Sequence, residues 1–589
     1  MTEHEHRAVT ADWAARQKVS LDELSSHAGA LWWLQGWPDG TTRLMRSTGT
    51  AAAVPVSPPG FSIGGWLHAY GGGGYAIEAD GTSWLIRSED SGVYRLSGDG
   101  ASTAAREGDG ACYGDLSISD EGVLAVRGTE RGDEIVRIRH DGQDAEVLAS
   151  SRGFLAAPRM RGRQLAFLEW DEGQMPWDAS RLLVAEPAAN GQARRGRVIA
   201  GSGHESVVQP AWGPGGDLYY LSDRSGYWNL YRWDGELHHP VAPIDRDCAP
   251  APWEAGYQSY AFLPDGSIPI IVHDGLSHCL AIAREGQTLK FLDTPLTSAK
   301  PYVAALGGRI AVIGADPVVQ PAVVTISPHS AALARIPQAG DPPEAGTVTA
   351  ERGRTHGDDG LQFLLHRPSG DMAVPLIVRA HPGPTDEVKD RLDWTKEFFV
   401  RHGFAVAEVA YRGSAGLGRQ FRTSLNGNWG DYDVQDCLAV ARYLVDAGIA
   451  DPRAVFVSGS SAGGYTALQA ACVPGTPVTA VTAISAITDP GDWARSAPRF
   501  QRAHARTLAG PAGTVRAARV RVPVLLIHGR KDEIAPASAA QALAADLSGQ
   551  DERHRSLFFD GAGHYLSGPG VLSQALQAEL GFYQAILGG

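Results

Sequence analysis

The sequence predicts two architectures in one chain, an all-β propeller followed by a doubly wound, mostly parallel α/β domain. Three observations carry this reading. The chain has 589 residues, more than one hydrophobic core organises. Twelve of its fifteen Trp lie between Trp13 and Trp253, and only Trp394, Trp429 and Trp493 follow residue 350. The hydrophobic period also changes near residue 350. Short strand-like runs between turns give way to strands alternating with helical patterns.

Residues 1–24 are set apart as an N-terminal segment. Their start, Met1-Thr-Glu-His-Glu-His6, lacks the apolar stretch of a signal peptide. No run anywhere approaches the roughly 20 apolar residues that span a bilayer.

Residues 25–345 form the expected propeller. Runs at 30–34, 84–87, 123–126, 164–168, 217–221, 260–263 and 309–313 read as strands. Turn signals separate them, among them Pro38-Asp-Gly40, Gly98-Asp-Gly100, Asp234-Gly235 and Pro264-Asp-Gly266. The stretch is too long for an ordinary sandwich. At roughly 45 residues per blade it holds about seven blades.

Residues 346–589 form the expected α/β domain. Apolar runs at 374–378, 405–409, 455–457, 481–484, 522–527 and 556–559 read as buried parallel strands. Val434, Cys437, Leu438, Ala441, Leu444 and Val445 carry the spacing of an amphipathic helix, and 571–587 reads as another. Strand–helix alternation puts helices on both sheet faces.

Composition narrows the function. A net charge of −14 without a basic patch argues against nucleic acid or anionic membrane as partner. Apolar residues at 43% and charged residues at 20% exclude wholesale disorder. The five Cys are scattered, with no Cys-x-x-Cys, which reads as a reduced, cytoplasmic protein without structural zinc. Six Lys against 46 Arg suggest a GC-rich bacterial genome. No motif calls for a metal or organic cofactor.

The chemistry centres on Gly459-Ser460-Ser461-Ala462-Gly463, a G-x-S-x-G element. It follows the strand 454–458 and precedes the helical run 465–471, so Ser461 sits on a strand-turn-helix, as a nucleophile elbow requires. Gly60-Phe-Ser62-Ile-Gly64 has the same pattern between loops and reads as a propeller turn. A serine nucleophile needs a base, and the base an orienting carboxylate, in the chain order Ser, acid, His. Asp532 lies just past the strand 522–527, at the rim where α/β sheets place their sites. Its rival Glu533 reads as a solvated loop charge. His564 follows the last strand in the Gly-rich loop Gly561-Ala-Gly-His564, whereas His528 and His554 sit at strand ends. The oxyanion donors are expected from the Ala462 amide and from the loop after the first central strand, at His381 and Gly383.

These motifs resemble the prolyl oligopeptidase family of serine peptidases, nearest its acylaminoacyl-peptidase and bacterial aminopeptidase branch. The matching segments are Ala410-Tyr-Arg-Gly-Ser-Ala-Gly-Leu-Gly418, Leu425-Asn-Gly-Asn-Trp-Gly-Asp431, Gly459-Ser-Ser-Ala-Gly-Gly464 and Gly561-Ala-Gly-His564. In the N-terminal half they are Tyr70-Gly-Gly-Gly73, Met175-Pro-Trp-Asp178 and Gln209-Pro-Ala-Trp-Gly-Pro214. The resemblance implies a seven-bladed propeller capping an α/β-hydrolase, with the site in the cavity between them.

The chain departs from the family pattern at several positions. Ala69 replaces a Glu before the Tyr-Gly run, and Gln35 and Trp37 stand where an acid and an Arg are usual. Glu172-Gly173 replaces His-Pro, Phe500-Gln501 replaces Phe-Glu, and Pro382 replaces a Gly and so removes a donor. Trp37, Ala69, Tyr70, Trp177 and Gln501 are the candidate substrate-contacting residues. Missing acids would weaken the recognition of a free α-ammonium.

The expected activity is a serine hydrolase that cleaves short peptides or amides. The alternative keeps the triad but serves specialised-metabolite biosynthesis on a bulky non-peptide ester or amide. A non-catalytic scaffold fits poorly with an intact triad. The expected partner is a small peptide or small molecule, and the sequence leaves a homo-oligomer open.

Overall fold

The computed structural model describes residues 9–16, 20–37, 40–97, 102–106, 110–140, 145–186, 196–337, 346, 348, 350–356, 360–568 and 570–588. Residues 1–8 of the N-terminal segment, Pro38-Asp39 and the Gly98–Gly100 turn lie outside these residues.

Seven antiparallel sheets follow one another at 20–55, 75–106, 112–151, 154–200, 207–240, 268–291 and 298–335. Six have four strands. A cavity of about 550 Å³ is lined by residues of six of the seven sheets and by Gly256–Phe262 just ahead of the remaining one, and it marks the propeller axis. The sixth sheet has three strands, because the run 260–263 contributes only a bridge between Tyr260 and Ile270. Ala261 donates to the Pro269 carbonyl at 3.1 Å. Pro269 has no amide to return that bond, so the ladder stops there.

The first blade begins at Ser20, ahead of the boundary at 25 drawn from the sequence. A register shift between Asp22 and Ser25 breaks its alternation, which hid the strand. Among the described residues no strand is shared between the first and last blades. Packing closes the ring instead. Leu21, Leu24 and Trp33 meet Tyr302, Ala304 and Ile313, and Asp22 pairs with Lys300.

The α/β domain is built on one eight-stranded sheet: β1 (Ala350–Arg354), β2 (Gln362–His366), β3 (Val374–Ala380), β4 (Ala405–Val409), β5 (Ala450–Ser460), β6 (Ala480–Ile484), β7 (Val524–Gly529) and β8 (Arg555–Phe559). Its order is β1-β2-β4-β3-β5-β6-β7-β8, with β1, β2 and β4 joined antiparallel and the rest parallel. Ile377, Val406, Phe456 and Val481 are wholly buried, and each such side chain contributes about 1.5–3 kcal/mol. Ala380 pairs with Gly459, Ser460 with Ile484, Ile484 with Ile527, and Gly529 with Phe559. The loops after β5, β7 and β8 therefore leave the sheet at one edge.

The helix Ala11–Arg16 packs on this domain rather than on the propeller. Trp13 meets Trp394 edge-on at 4.4 Å, and Ser573 hydrogen-bonds Asp12. Among the described residues no helix is long and apolar enough to cross a membrane.

Candidate active site

Ser461 stands between β5 and the helix Ala462–Cys472, with φ 53° and ψ −116°. A non-glycine residue in that region is strained, and the surrounding packing must hold it there. Gly463 shows how tight the turn is. A Cβ on it would lie 2.3 Å from the Ala380 carbonyl oxygen and 2.7 Å from that of His381. The absence of that Cβ lets the helix N-terminus press onto the end of β3.

Asp532 and His564 are brought together from the loops after β7 and β8. His564 Nδ1 lies 2.8 Å from Asp532 Oδ2. The other carboxylate oxygen accepts from the amides of Ile534 at 2.9 Å and Ala535 at 2.8 Å. His528 Nε2 also lies 3.2 Å from Oδ2 and 2.8 Å from the Ala535 carbonyl. Burial alone would raise the Asp532 pKa. The hydrogen bonds from His528 and His564, with those from the backbone, outweigh it and hold the carboxyl at about 2. Sequence reasoning passed over His528 because it ends a strand, yet it buttresses the carboxylate. Glu533 is exposed, His554 accepts from the Val524 amide at 3.1 Å, and Ser62 accepts from Thr42 in the first blade.

The Ser461 hydroxyl makes no hydrogen bond among the described residues, and its amide donates to the Ile484 carbonyl at 2.8 Å. The expected oxyanion donors differ in how they are engaged. The Ala462 amide, expected to be free, donates to the Pro382 carbonyl at 3.1 Å. The close seating at Gly463 brings that carbonyl within reach. The His381 side chain is no donor to this space. Its Nε2 lies 2.7 Å from Ser414 Oγ, its Nδ1 lies 2.6 Å from the Gly383 carbonyl, and its ring stacks on Tyr411 at 4.0 Å. Burial lowers its pKa to about 4, so it is a neutral brace for the loop. The Gly383 amide has no acceptor among the described residues.

Of the candidate substrate contacts, Tyr70, Trp177 and Gln501 come together where the propeller meets the α/β domain. Gln501 Nε2 donates to the Tyr70 hydroxyl. Tyr70 and Trp177 each pack on Trp253, at 5.2 and 4.5 Å, and Phe500 and His504 complete the aromatic cluster. Ala69, with φ 71°, lines a neighbouring cleft with His68, Arg499 and Glu533. Trp37 is not part of the group. It packs with Tyr257 on the cluster between first and last blades, its ring 5.4 Å from the Arg43 guanidinium. A bulky residue in a blade loop packs where its own strands carry it, and here that is onto its neighbour Arg43.

The junction is firmly tied. Asp223 receives both Arg419 and Arg422 at 2.6 Å, and Arg499 reaches Asp133 at 2.9 Å. A cavity of about 140 Å³ opens beside the loop that carries Gly383. Trp253, Thr385 and Asp386 line it, and Trp253 Nε1 donates to the Thr385 carbonyl at 3.0 Å. Glu254, Tyr257 and Tyr302 form its propeller side. None of these three was singled out from the sequence. Glu254 follows Ala249-Pro-Ala-Pro-Trp253, a loop with no motif.

His273, His278 and Glu387 meet across the junction, with Glu387 2.9 Å from His273 Nδ1 and 3.2 Å from His278 Nε2. Glu387 pairs with both imidazoles, while His273 Nε2 is buried without a hydrogen-bond partner among the described residues.

Residues 390–589 match the prolyl oligopeptidase family. The acylamino-acid-releasing enzyme of Arabidopsis thaliana is 28% identical over 218 residues, covering 33% of this chain and 28% of that protein. An uncharacterised peptidase of Bacillus subtilis is 27% identical over 238 residues, covering 37% of this chain and 36% of that protein. The matches thus span about a third of these curated relatives. A puromycin-hydrolysing peptidase of Mycobacterium tuberculosis superposes with a TM-score of 0.90 at 27% identity, covering 98% of this chain and 96% of that one. Over residues 390–589 the chain is thus similar to the prolyl oligopeptidase family, and a seven-bladed propeller stands ahead of its α/β-hydrolase domain.

Proposed function

We propose that the chain is a serine hydrolase of peptidase type, acting on short peptides or amides in the space between its two domains. Ser461 attacks the carbonyl carbon, and His564 takes its proton and later returns it to the leaving amine. Asp532 orients the imidazole and stabilises its charged form. The observation that carries the reading is the strained Ser461 on an elbow at the same sheet edge as the His564–Asp532 pair. For the amides of Ala462 and Gly383 to hold an oxyanion, the Pro382 carbonyl must first turn off the Ala462 amide. The propeller and the ties across the junction favour small substrates over folded proteins. We also infer a cytoplasmic setting, supported by five free cysteines.

A fluorophosphonate probe tests the reading. It should label the protein at Ser461 and leave Ser461→Ala unlabelled. An unlabelled wild-type protein defeats the proposal. A panel of aminoacyl anilides, N-acyl anilides and non-peptide esters then sorts the substrate class, and activity confined to the esters would favour specialised-metabolite chemistry.

A further inference from the structure

The sixth blade and the α/β domain meet at three side chains that the triad does not use. His273 and His278 face each other across the hairpin of the strands Ile268–Asp274 and Ser277–Ala283. Their amides donate outward, to the carbonyls of Asp247 and Thr297, both at 2.8 Å. The two residues are therefore a non-hydrogen-bonded pair, the kind that brings side chains closest. Both imidazoles are buried, with ring centroids 4.4 Å apart. Glu387 arrives from the other domain, on the loop that starts at His381 and carries Gly383. One of its carboxylate oxygens lies 2.9 Å from His273 Nδ1, and the other 3.2 Å from His278 Nε2.

One donor atom of each residue lies within 4.8 Å of the others. Ligand atoms on a tetrahedron with bonds of about 2.0–2.1 Å stand about 3.3–3.4 Å apart, so a shift of a few tenths of an ångström opens the trio to that size. The far nitrogen of His278 is already fixed. Its Nδ1 lies 2.9 Å from the Ala299 carbonyl and 3.0 Å from the Ala299 amide, which leaves Nε2 for the trio. A backbone partner of this kind is how proteins orient a ligating imidazole. His273 Nε2 has no partner among the described residues, so no hydrogen bond pulls that ring away. The nearby cations do not claim Glu387, because Lys300 pairs with Asp22 and Lys389 with Asp386. Gly416, with φ +81°, keeps one approach clear: a Cβ there would lie 3.0 Å from His273 Nδ1 and 3.3 Å from Glu387 Oε2. All three side chains line the junction cavity, which gives an ion a way in. No short motif marks the set, since a turn separates the histidines and the glutamate belongs to the other domain.

We propose that His273, His278 and Glu387 bind one divalent ion of the zinc class, which ties the sixth blade to the loop carrying Gly383. Two imidazoles and one carboxylate suit Zn²⁺, whereas Ca²⁺ and Mg²⁺ take oxygen ligands. The ion replaces the protons that the imidazoles share with Glu387, and these leave to solvent. Water from the cavity takes the remaining corner. The site stands whether or not Ser461 is a nucleophile.

Metal uptake by the full chain tests this apart from catalysis. Protein stripped with EDTA should take up one Zn²⁺ per chain by calorimetry at pH 7.5, with a Kd in the micromolar range or below, and Ca²⁺ should not compete. His278→Gln should weaken uptake by more than about a hundredfold, because even the outer partners of a metal site are worth ten- to a hundredfold. His4 and His6 near the start of the chain, and His239 beside Asp234, are the rival ligands. A triple variant, His4→Gln, His6→Gln and His239→Gln, should bind as the wild type does. X-ray absorption of the zinc-loaded triple variant should show two imidazoles and no sulfur, a readout that does not depend on how His278→Gln folds. Amide exchange across residues 383–389 should slow on loading. No uptake, uptake that survives His278→Gln or is lost in the triple variant, a single imidazole at the ion, or exchange indifferent to zinc overturns the proposal.

Discussion

Asp532, which is buried, and Glu254, which is half-buried, are carboxylates on opposite sides of one junction, and their surroundings differ. Asp532 accepts two backbone amides and contacts two imidazoles, and it is held at about 2 although burial pushes the other way. Glu254 has no hydrogen-bond donor among the described residues, and burial, reinforced by Asp22 and opposed by Lys300 and Lys389, raises it to about 7. The cost of leaving water is common to both. What separates them is whether the protein returns the lost hydrogen bonds. The α/β domain satisfies its acid from within, which suits a group that must hold an imidazole still. The propeller leaves its acid without donors among the described residues, so its charge is set by pH near neutrality.

The strongest test of the first half is Asp532→Asn. An amide cannot hold His564 in the required tautomer or stabilise the imidazolium, so kcat should fall by about 10⁴ while KM changes little. Glu533→Gln, at an exposed neighbour, should stay near wild type. A loss of only tenfold in Asp532→Asn, or comparable losses in both variants, would remove Asp532 from its role.

The second half is tested by pH. The useful quantity is the stability of Glu254→Gln minus that of the wild type, because titrations common to both cancel. In the folded chain Glu254 keeps its proton up to about pH 7, whereas in the unfolded chain it loses it near the ordinary 4.5. The raised value is thus a cost to the wild type that is absent below 4.5, grows as pH increases and is complete above 7. The advantage of Glu254→Gln should follow the same course and level off at about 2 kcal/mol, the carboxylate being only half-buried. The groups facing Glu254 leave this rise to it. Asp22 and Asp386 are paired with Lys300 and Lys389, and Tyr70, Tyr257, Tyr302 and Tyr565 are raised and stay neutral. His273 and His278 line the same cavity beside Glu387, but they titrate in both proteins and so cancel. A difference in urea unfolding that stays flat between pH 4.5 and 7 would show that the protein does answer the charge of Glu254.

The contrast also explains what could be read in advance. Local sequence determines the elbow. A buried strand, small residues and a helix mark Ser461, and chain order after later strands marks Asp532 and His564. The parallel strands were legible for the same reason, as apolar runs of strand length. The propeller side resisted. Glu254 owes its surroundings to residues 22, 300 and 386, which meet only after the blades close and the domains dock. Trp37 looked like a cavity residue because a loop says nothing about which neighbour it packs on. The sequence showed that Pro382 lacks an amide, but that its carbonyl takes the Ala462 amide depends on the fit at Gly463.

The smallest predicted effect asks whether the parallel bridge between Gly72 and Ala255, next to Glu254, matters. Gly72 has φ +97°, and a Cβ there would lie 2.3 Å from the Ala255 carbonyl oxygen and 2.7 Å from its amide nitrogen. Both are backbone atoms, so neither can rotate away, and the backbone conformation also disfavours alanine. Gly72→Ala must therefore push the Ala255 strand outward and carry Glu254 with it. Ser461, Asp532 and His564 belong to the other domain, so fluorophosphonate labelling should proceed at the wild-type rate. The gain from Glu254→Gln should shrink by about 0.5–1 kcal/mol on this background, because a displaced carboxylate regains water. Stability should drop by about 1–3 kcal/mol, seen as earlier thermal unfolding. A variant that unfolds earlier yet keeps the full gain would show that Glu254 is held by Trp253 and the Gly383 loop rather than by the Gly72 bridge.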